Sequence, residues 1–337
     1  ILASKEIMKL NQNIKFDHII LERHGFAINN ITDDTIFQFH CLYPELPKKL
    51  AVIASIETEE PYYKDEGKEY NPKKDDVKRL YLYNAKDAAV TMECYEALNK
   101  ELAEVGQVDF YRKTMEFHEL YKELELTGIL VDKGARKILR QKYHNFSEEN
   151  DKELESILSY KLNVNSPKQV VHTLYVEQNI PRRKGVKEET LRSLLLNVVK
   201  NLTKRRILEL IILGRKLKKV QNTYLLARED FDGRMRTTVN ICGPETGRTS
   251  TSKIKSPNRP TPYGLAFQTL TKHGDVGADL RCMFVPDPGY VFMEVDLSQA
   301  ESRVVDILAK GNLFDGDRDV HCLTASWIYD KSYEEIY

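Results

Sequence analysis

Apolar positions in the middle of the chain recur at three- and four-residue intervals, a rhythm that predicts a helical block from Phe110 to about Leu226. Phe117, Leu120, Tyr121 and Leu124 share one face and lead into Thr127-Gly128, a helix stop. Ile129-Leu130-Val131 reads as a short strand, and Asp132 stands where the next helix needs an N-cap. Ile138, Leu139, Tyr143, Phe146, Leu154, Ile157 and Leu158 carry that helix onward. Asn165-Ser166-Pro167 starts another, with a capping side chain before proline, and helices over 187–199 and 202–226 close the block.

The flanks follow other patterns. Residues 1 to about 105 mix short apolar runs, Ile19-Ile20-Leu21 and Ile53-Ala54-Ser55-Ile56 among them, with a loop-like stretch from Glu59 to Lys74. A helix is predicted from Ala85 to Leu102, where Ala88, Val90, Met92, Tyr95 and Leu98 recur. After Asp230, Asp232-Gly233 predicts a hairpin-type turn and Met235 to Ile241 a strand. A stretch rich in Gly, Pro, Ser and Thr runs on to Gly277. Tyr290 to Val295 then predicts a short strand, and helices are predicted over 298–310 and 319–329.

The length of 337 residues allows two or three compact units. Its 51 basic and 51 acidic side chains cancel, which argues against a whole-surface polyanion binder and leaves room for a local basic stripe. Five dispersed cysteines, Cys41, Cys94, Cys242, Cys282 and Cys322, suggest neither a disulfide framework nor a Cys-based zinc site, and fit a reducing intracellular setting. No apolar run approaches the ~20 residues that span a bilayer. The chain opens at Ile1 without methionine and stops at Tyr337 in helical sequence, which predicts a fragment.

One stripe of the required kind exists. Lys200, Lys204, Arg205, Arg206, Arg215, Lys216, Lys218 and Lys219 alternate with Ile207, Leu208, Ile211, Ile212, Leu217 and Val220, so one helical face is apolar and the other basic. A solvated face is the plain reading of such a run.

The densest chemistry lies in Asp296-Leu297-Ser298-Gln299-Ala300-Glu301-Ser302-Arg303, directly after the predicted strand. An acidic residue at a strand end where a helix begins is well placed to hold a hard cation such as Mg²⁺ beside substrate phosphates. This Asp-x-Ser-x-x-Glu-x-Arg run resembles the first polymerase motif of the family A DNA polymerases. Three flanking segments resemble the same family: Thr246-Gly247-Arg248-Thr249-Ser250, Arg281 to Pro286, and Asp319-Val320-His321 with Thr324-Ala325.

The resemblance implies roles. Asp296 binds the catalytic metals, and Glu301 fills the space beside the sugar 2′ position and rejects ribonucleotides. Ser298, Gln299 and Arg303 support the nucleotide site, Arg248 contacts the primer end, and His321 touches the incoming triphosphate. Plainer roles stay open: an N-cap for Asp296, a surface ion pair for Arg248, a packed ring for His321. Phe267-Gln268-Thr269-Leu270-Thr271 departs from the family's pattern and leaves Gln268 as a template-side contact; the long loop Ser252–Gly264 is similar to phage-type members.

Upstream, Asn13-Ile14-Lys15-Phe16-Asp17 and Tyr83-Asn84-Ala85-Lys86-Asp87 resemble the second and third motifs of the family's proofreading 3′→5′ exonuclease. Asp17 and Asp87 are then metal ligands and Tyr83 orients the attacking water. The first motif, Asp-x-Glu, does not precede Asp17. In this frame the basic helix is a thumb that grips duplex phosphates through Lys204, Arg205, Arg215, Lys216, Lys218 and Lys219.

The expected architecture is α+β: the rear of a ribonuclease H-like exonuclease over 1–105, a helical thumb over 106–228 and an incomplete palm over 229–337. The expected function is template-directed DNA synthesis from dNTPs on a primer-template in the cytoplasm of a bacterial or phage-infected cell, with an incomplete two-Mg²⁺ site. No membrane partner is expected, a processivity factor is left open, and the fragment alone is not expected to extend a primer. The alternatives are a stand-alone 3′→5′ exonuclease and a non-catalytic DNA-binding fragment.

Overall fold

Asp34 organises the start of the fold. In the computed structural model, which describes residues 1–71, 73–255, 262–272, 274–311 and 318–337, strands β1 (Lys9–Asn11) and β2 (Ile31–Asp34) pair in parallel. Helix α1 (Ile14–Arg23) connects them and contains the whole Ile19-Ile20-Leu21 run. The buried Asp34 carboxylate accepts the Asn13 and Ile14 N–H groups at 3.0 and 2.8 Å, and that of Ile36 at 2.8 Å. One side chain thereby caps both α1 and α2 (Thr35–Leu42).

Helix α3 (Leu50–Glu57) takes up the second apolar run. A short α4 (Asp65–Glu69) lies inside the stretch expected to be loop. Helix α5 (Val77–Glu104) starts eight residues before the predicted Ala85, where Asp76 caps it. Its first turns show no apolar rhythm because none of residues 77–89 is buried, so no face is under pressure to be apolar. Phe39, Ile53, Val90, Cys94 and Leu98 form the core beneath it.

The helical block stands as predicted. Helix α6 (Val108–Thr127) ends at Gly128, whose φ of 63° suits glycine, and β3 (Ile129–Val131) follows. Asp132 caps α7 (Lys133–Leu158) by accepting the Ala135 N–H at 2.9 Å. Ser166 caps α8 (Pro167–His172), which runs into a π-helical turn over Thr173–Glu177. After α9 (Glu188–Asn197), helix α10 (Leu202–Lys219) continues as a π-helical turn to Leu225. It runs antiparallel to α7: Arg206 meets Glu153 near one end, and Gln221 reaches the Tyr143 carbonyl near the other. Leu154, Leu174, Leu191, Leu194, Ile207, Leu208 and Ile211 fill the space between these helices.

The predicted strand Met235–Ile241 forms as two pieces, β4 (Arg234–Met235) and β5 (Thr238–Asn240). The break falls where Gly264 presses on the Arg236 backbone. A Cβ at 264, which has φ 73°, would stand 2.2 Å from the Arg236 carbonyl oxygen. Strand β5 pairs antiparallel with β6 (Ser250–Ser252); residues 256–261 of the long loop lie outside the described chain. Helix α11 (Gly274–Arg281) leads to β7 (Phe284–Val285), which completes an antiparallel sheet in the order β4-β3-β7. Val131, Leu139, Tyr224, Met235, Leu280 and Met283 form its core.

Pro286–Tyr337 is a separate compact unit with helices α12 (Ala300–Leu308), α13 (Val320–Tyr329) and α14 (Tyr333–Ile336). The strand expected over Tyr290–Val295 does not form. The segment is irregular, and Tyr290, Val291, Met293 and Val295 are 74%, 86%, 84% and 76% exposed. A strand needs a neighbour to exchange N–H···O=C bonds with, and no strand stands among the described residues of this unit. The mixed, helix-rich architecture agrees with the α+β expectation.

Candidate functional site

In the Asp296 motif the turn precedes the helix. Asp296 lies in irregular chain, Ser298 and Gln299 turn, and α12 begins at Ala300. Gln299 adopts the left-handed conformation with φ 54°. Its Oε1 accepts the Val320 N–H at 2.9 Å, and its Nε2 donates to the Asp319 carboxylate. Asp319 in turn caps α13 by accepting the Cys322 N–H at 2.9 Å, and its own N–H donates to the Tyr333 hydroxyl at 2.8 Å. The Cys322 N–H is the main cause that holds the Asp319 carboxyl below its ordinary range. Arg303 Nε donates to the Ser298 carbonyl at 3.0 Å. The structure thus gathers Ser298, Gln299, Arg303 and the first turn of α13, on which His321 is exposed.

Asp296 and Glu301 are both exposed, on either side of the turn. The Asp296 carboxylate has no hydrogen-bond or ion-pair partner among the described residues, so it is open to a hard cation. It belongs to no set of three His, Cys, Asp or Glu ligands among those residues.

Arg248 is exposed on the connection between β5 and β6, after Gly247 with φ 74°. Gln268 comes to the same place. Its Nε2 donates to the Thr249 carbonyl and hydroxyl, both at 3.1 Å, and its backbone N–H donates to the Thr251 hydroxyl at 3.0 Å. The Gln268 amide nitrogen therefore braces the segment that follows Arg248.

The exonuclease-like residues have separate partners. Asp17, half-buried on α1, accepts from Asn11 Nδ2 at 2.8 Å, and burial raises its carboxyl above the usual range. Asp87, on α5, accepts from the Tyr63 hydroxyl at 2.8 Å and forms an ion pair with Lys64. Tyr83, one turn before it, packs on Tyr63 with ring centroids 6.0 Å apart. Tyr83 and Asp87 both meet Tyr63, whereas Asp17 is bonded to Asn11.

The basic face of α10 divides into two groups. Arg205 donates to the Leu195 and Val199 carbonyls, which closes the end of α9. Arg215 donates to the Val164 carbonyl at 2.7 Å and to that of Val186, and burial holds its guanidinium below the ordinary range. Lys218 pairs with Asp151 at 3.3 Å. Lys204, Lys216 and Lys219 make no ion pair among the described residues. As a sequence pattern these six are alike. Two arginines beside the buried positions Leu208 and Ile211 are the signal that part of the stripe serves the fold, because a planar guanidinium satisfies stray carbonyls where an ammonium cannot fork.

A buried bridge between distant segments has no counterpart in the sequence pattern. Lys15 pairs with Glu125, Lys15 Nζ donates to the Val239 carbonyl at 2.6 Å, and the Val239 N–H donates to Glu125 at 2.6 Å. This ion pair occupies both backbone groups of a β5 residue and ties that strand to α1 and α6.

The model of DNA polymerase family A matches residues 135–337, more than half of the chain. The DNA polymerase I of Chloroflexus aurantiacus is 27% identical over 350 residues, covering 97% of this chain and 36% of that protein. That of Treponema pallidum is 27% identical over 263 residues, covering 75% of this chain and 25% of that protein. A solved structure, the POL domain of Pol1 from M. smegmatis in complex with DNA primer-template and dNTP, superposes with a TM-score of 0.76 at 21% identity. It covers 100% of this chain and 56% of its own, and speaks for the fold. The chain spans about a quarter to a third of the length of these curated relatives.

Proposed function

The chain belongs to DNA polymerase family A, and from that premise we propose that it forms part of a template-directed DNA polymerase that transfers nucleotides from dNTPs to a primer 3′ end. The observation that carries this reading is the Asp296 carboxylate, exposed and without a partner among the described residues, at a turn whose next residues brace the helix that bears His321. Bound divalent cations such as Mg²⁺ supply charge neutralisation at the transferring phosphoryl group. Asp296 holds them, Glu301 screens the sugar, and Ser298, Gln299 and Arg303 keep the turn in shape. Arg248, with Gln268 bracing the segment behind it, meets the primer-template.

The finer parts of the reading follow from the same family. Residues 1–105 are the rear of a proofreading exonuclease that uses Asp17, Tyr83 and Asp87, residues 106–228 are the thumb, and 229–337 begin the palm. A stand-alone exonuclease leaves residues 135–337 without a role, which favours the polymerase.

The test is primer extension by the protein that carries this chain, with Asp296→Asn as the variant. Loss of a metal ligand lowers kcat by about a thousandfold or more while primer-template affinity changes little. An Asp296→Asn protein that extends primers at the native rate sinks the proposal.

A further inference from the structure

Helices α1 and α6 meet at a pair of buried histidines. His18 and His118 lie 100 positions apart in sequence, yet His18 Nδ1 and His118 Nε2 stand 3.1 Å apart with the rings 12° from parallel. Both residues are almost fully buried, at 5% and 4% exposure. Together with the Glu119 carboxylate they place three ligand atoms within 4.8 Å of one another. We propose that His18, His118 and Glu119 form a transition-metal site of the zinc class that fastens α1 to α6.

Distance, charge and ligand chemistry all point this way. Two nitrogens on one tetrahedral ion, each at about 2.0–2.1 Å, stand roughly 3.3 Å apart, close to the spacing seen here. Imidazole ligands select zinc, cobalt or nickel over magnesium. His18 Nε2 lies 3.6 Å from the Glu22 carboxylate, an ion-pair separation, while Nδ1 is the nitrogen that faces the His118 ring.

The surroundings carry spare negative charge. Lys122 is the ammonium shared by Glu22, Glu119 and Glu123, at 2.9, 2.5 and 3.0 Å. Three half-exposed carboxylates around one ammonium leave the group with an excess of negative charge, which favours a cation beside it. Glu119 is exposed enough to turn from Lys122 toward an ion. A cleft of about 720 Å³, bordered by Asn30, Glu22 and Lys122, gives the ion a route in.

The test is titration of the metal-free full chain with Co²⁺, followed by displacement with Zn²⁺. The expected result is one equivalent of Co²⁺ with the intense visible bands of a four-coordinate ion, and a melting temperature that rises on adding Zn²⁺. Glu119→Gln, a substitution at the surface, weakens uptake by at least tenfold and leaves the metal-free melting temperature near native. His118→Asn abolishes the bands. Absence of uptake, a weak six-coordinate spectrum, or uptake undiminished in the folded Glu119→Gln chain overturns the proposal.

Discussion

Gln299 and Asp319 are joined side chain to side chain across the turn of the Asp296 motif, and the same carboxamide accepts the Val320 N–H. Asp319 is the cap of α13, so the segment after Asp296 and the first turn of that helix move as one piece. Replacing Gln299 by leucine removes both bonds. A loss of about 1–2 kcal/mol is expected. Amide hydrogen exchange at Val320 to Leu323 should quicken about tenfold, with α7 and α10 unaffected; unchanged exchange there would mean that the bridge does not hold the helix.

The division of the α10 face predicts two distinguishable phenotypes. Lys204→Gln, Lys216→Gln and Lys219→Gln combined should weaken duplex DNA binding and flatten its salt dependence, the slope falling by about 0.9 for each phosphate no longer neutralised. The melting temperature should stay near native, since none of the three is ion-paired among the described residues. Arg215→Gln should instead lower the melting temperature, because the Val164 and Val186 carbonyls lose their donor. Anisotropy titrations across salt, beside thermal melts, separate the two; equal effects from both variants would contradict the division.

Gly214 sits where α10 crosses α7. A Cβ there would stand 2.8 Å from Asn150 Nδ2, which is committed to the Leu210 carbonyl inside the interface. Alanine improves helix propensity by about 1 kcal/mol. Forcing aside a buried, hydrogen-bonded amide costs about 1–3 kcal/mol. The clash outweighs the propensity, so Gly214→Ala should destabilise. In an Asn150→Ala background the same change should turn stabilising, and urea denaturation of the four chains reads the sign reversal.

His118 gives acid sensitivity of defined sign. Its ring is pushed down to about 4 by burial first, then by His18 and the nearby Lys122 and Lys15, against the pull of Glu119. In the unfolded chain it titrates near 6.5. Above that value both states are neutral and its contribution is intact; between 6.5 and 4 the unfolded chain takes a proton that the folded chain refuses, so stability falls. Burial raises the Asp34 carboxyl to about 6, which acts in the opposite direction over much of the same range. The difference between native and His118→Phe chains isolates the histidine. The native chain should lose urea stability more steeply between pH 6.5 and 4, and parallel curves would refute the assignment.

The helical middle of the chain was readable because its signals act within one turn. Gly128 stops α6, Asp132 caps α7 and Ser166 caps α8 through contacts at most four residues away. The Asp-x-Ser-x-x-Glu-x-Arg motif was equally plain, since a motif is a statement about chemistry at fixed spacing. The first turns of α5 were not readable, because a helix with no fully buried residue leaves no apolar rhythm. Tyr290–Val295 misled for the converse reason: its composition favours a strand, but a strand exists only where another backbone meets it.

Local order along this chain, and the spacing of the Asp296 motif, follow from neighbours in sequence. Which arginines of α10 serve the fold, that Lys15 and Glu125 bracket Val239 across a separation of 110 residues, and that His18 meets His118 were settled only when distant segments packed together. Burial and pairing are properties of the assembled interior. Removing water from a charge or a ring makes its partner obligatory, and that partner can come from anywhere in the chain.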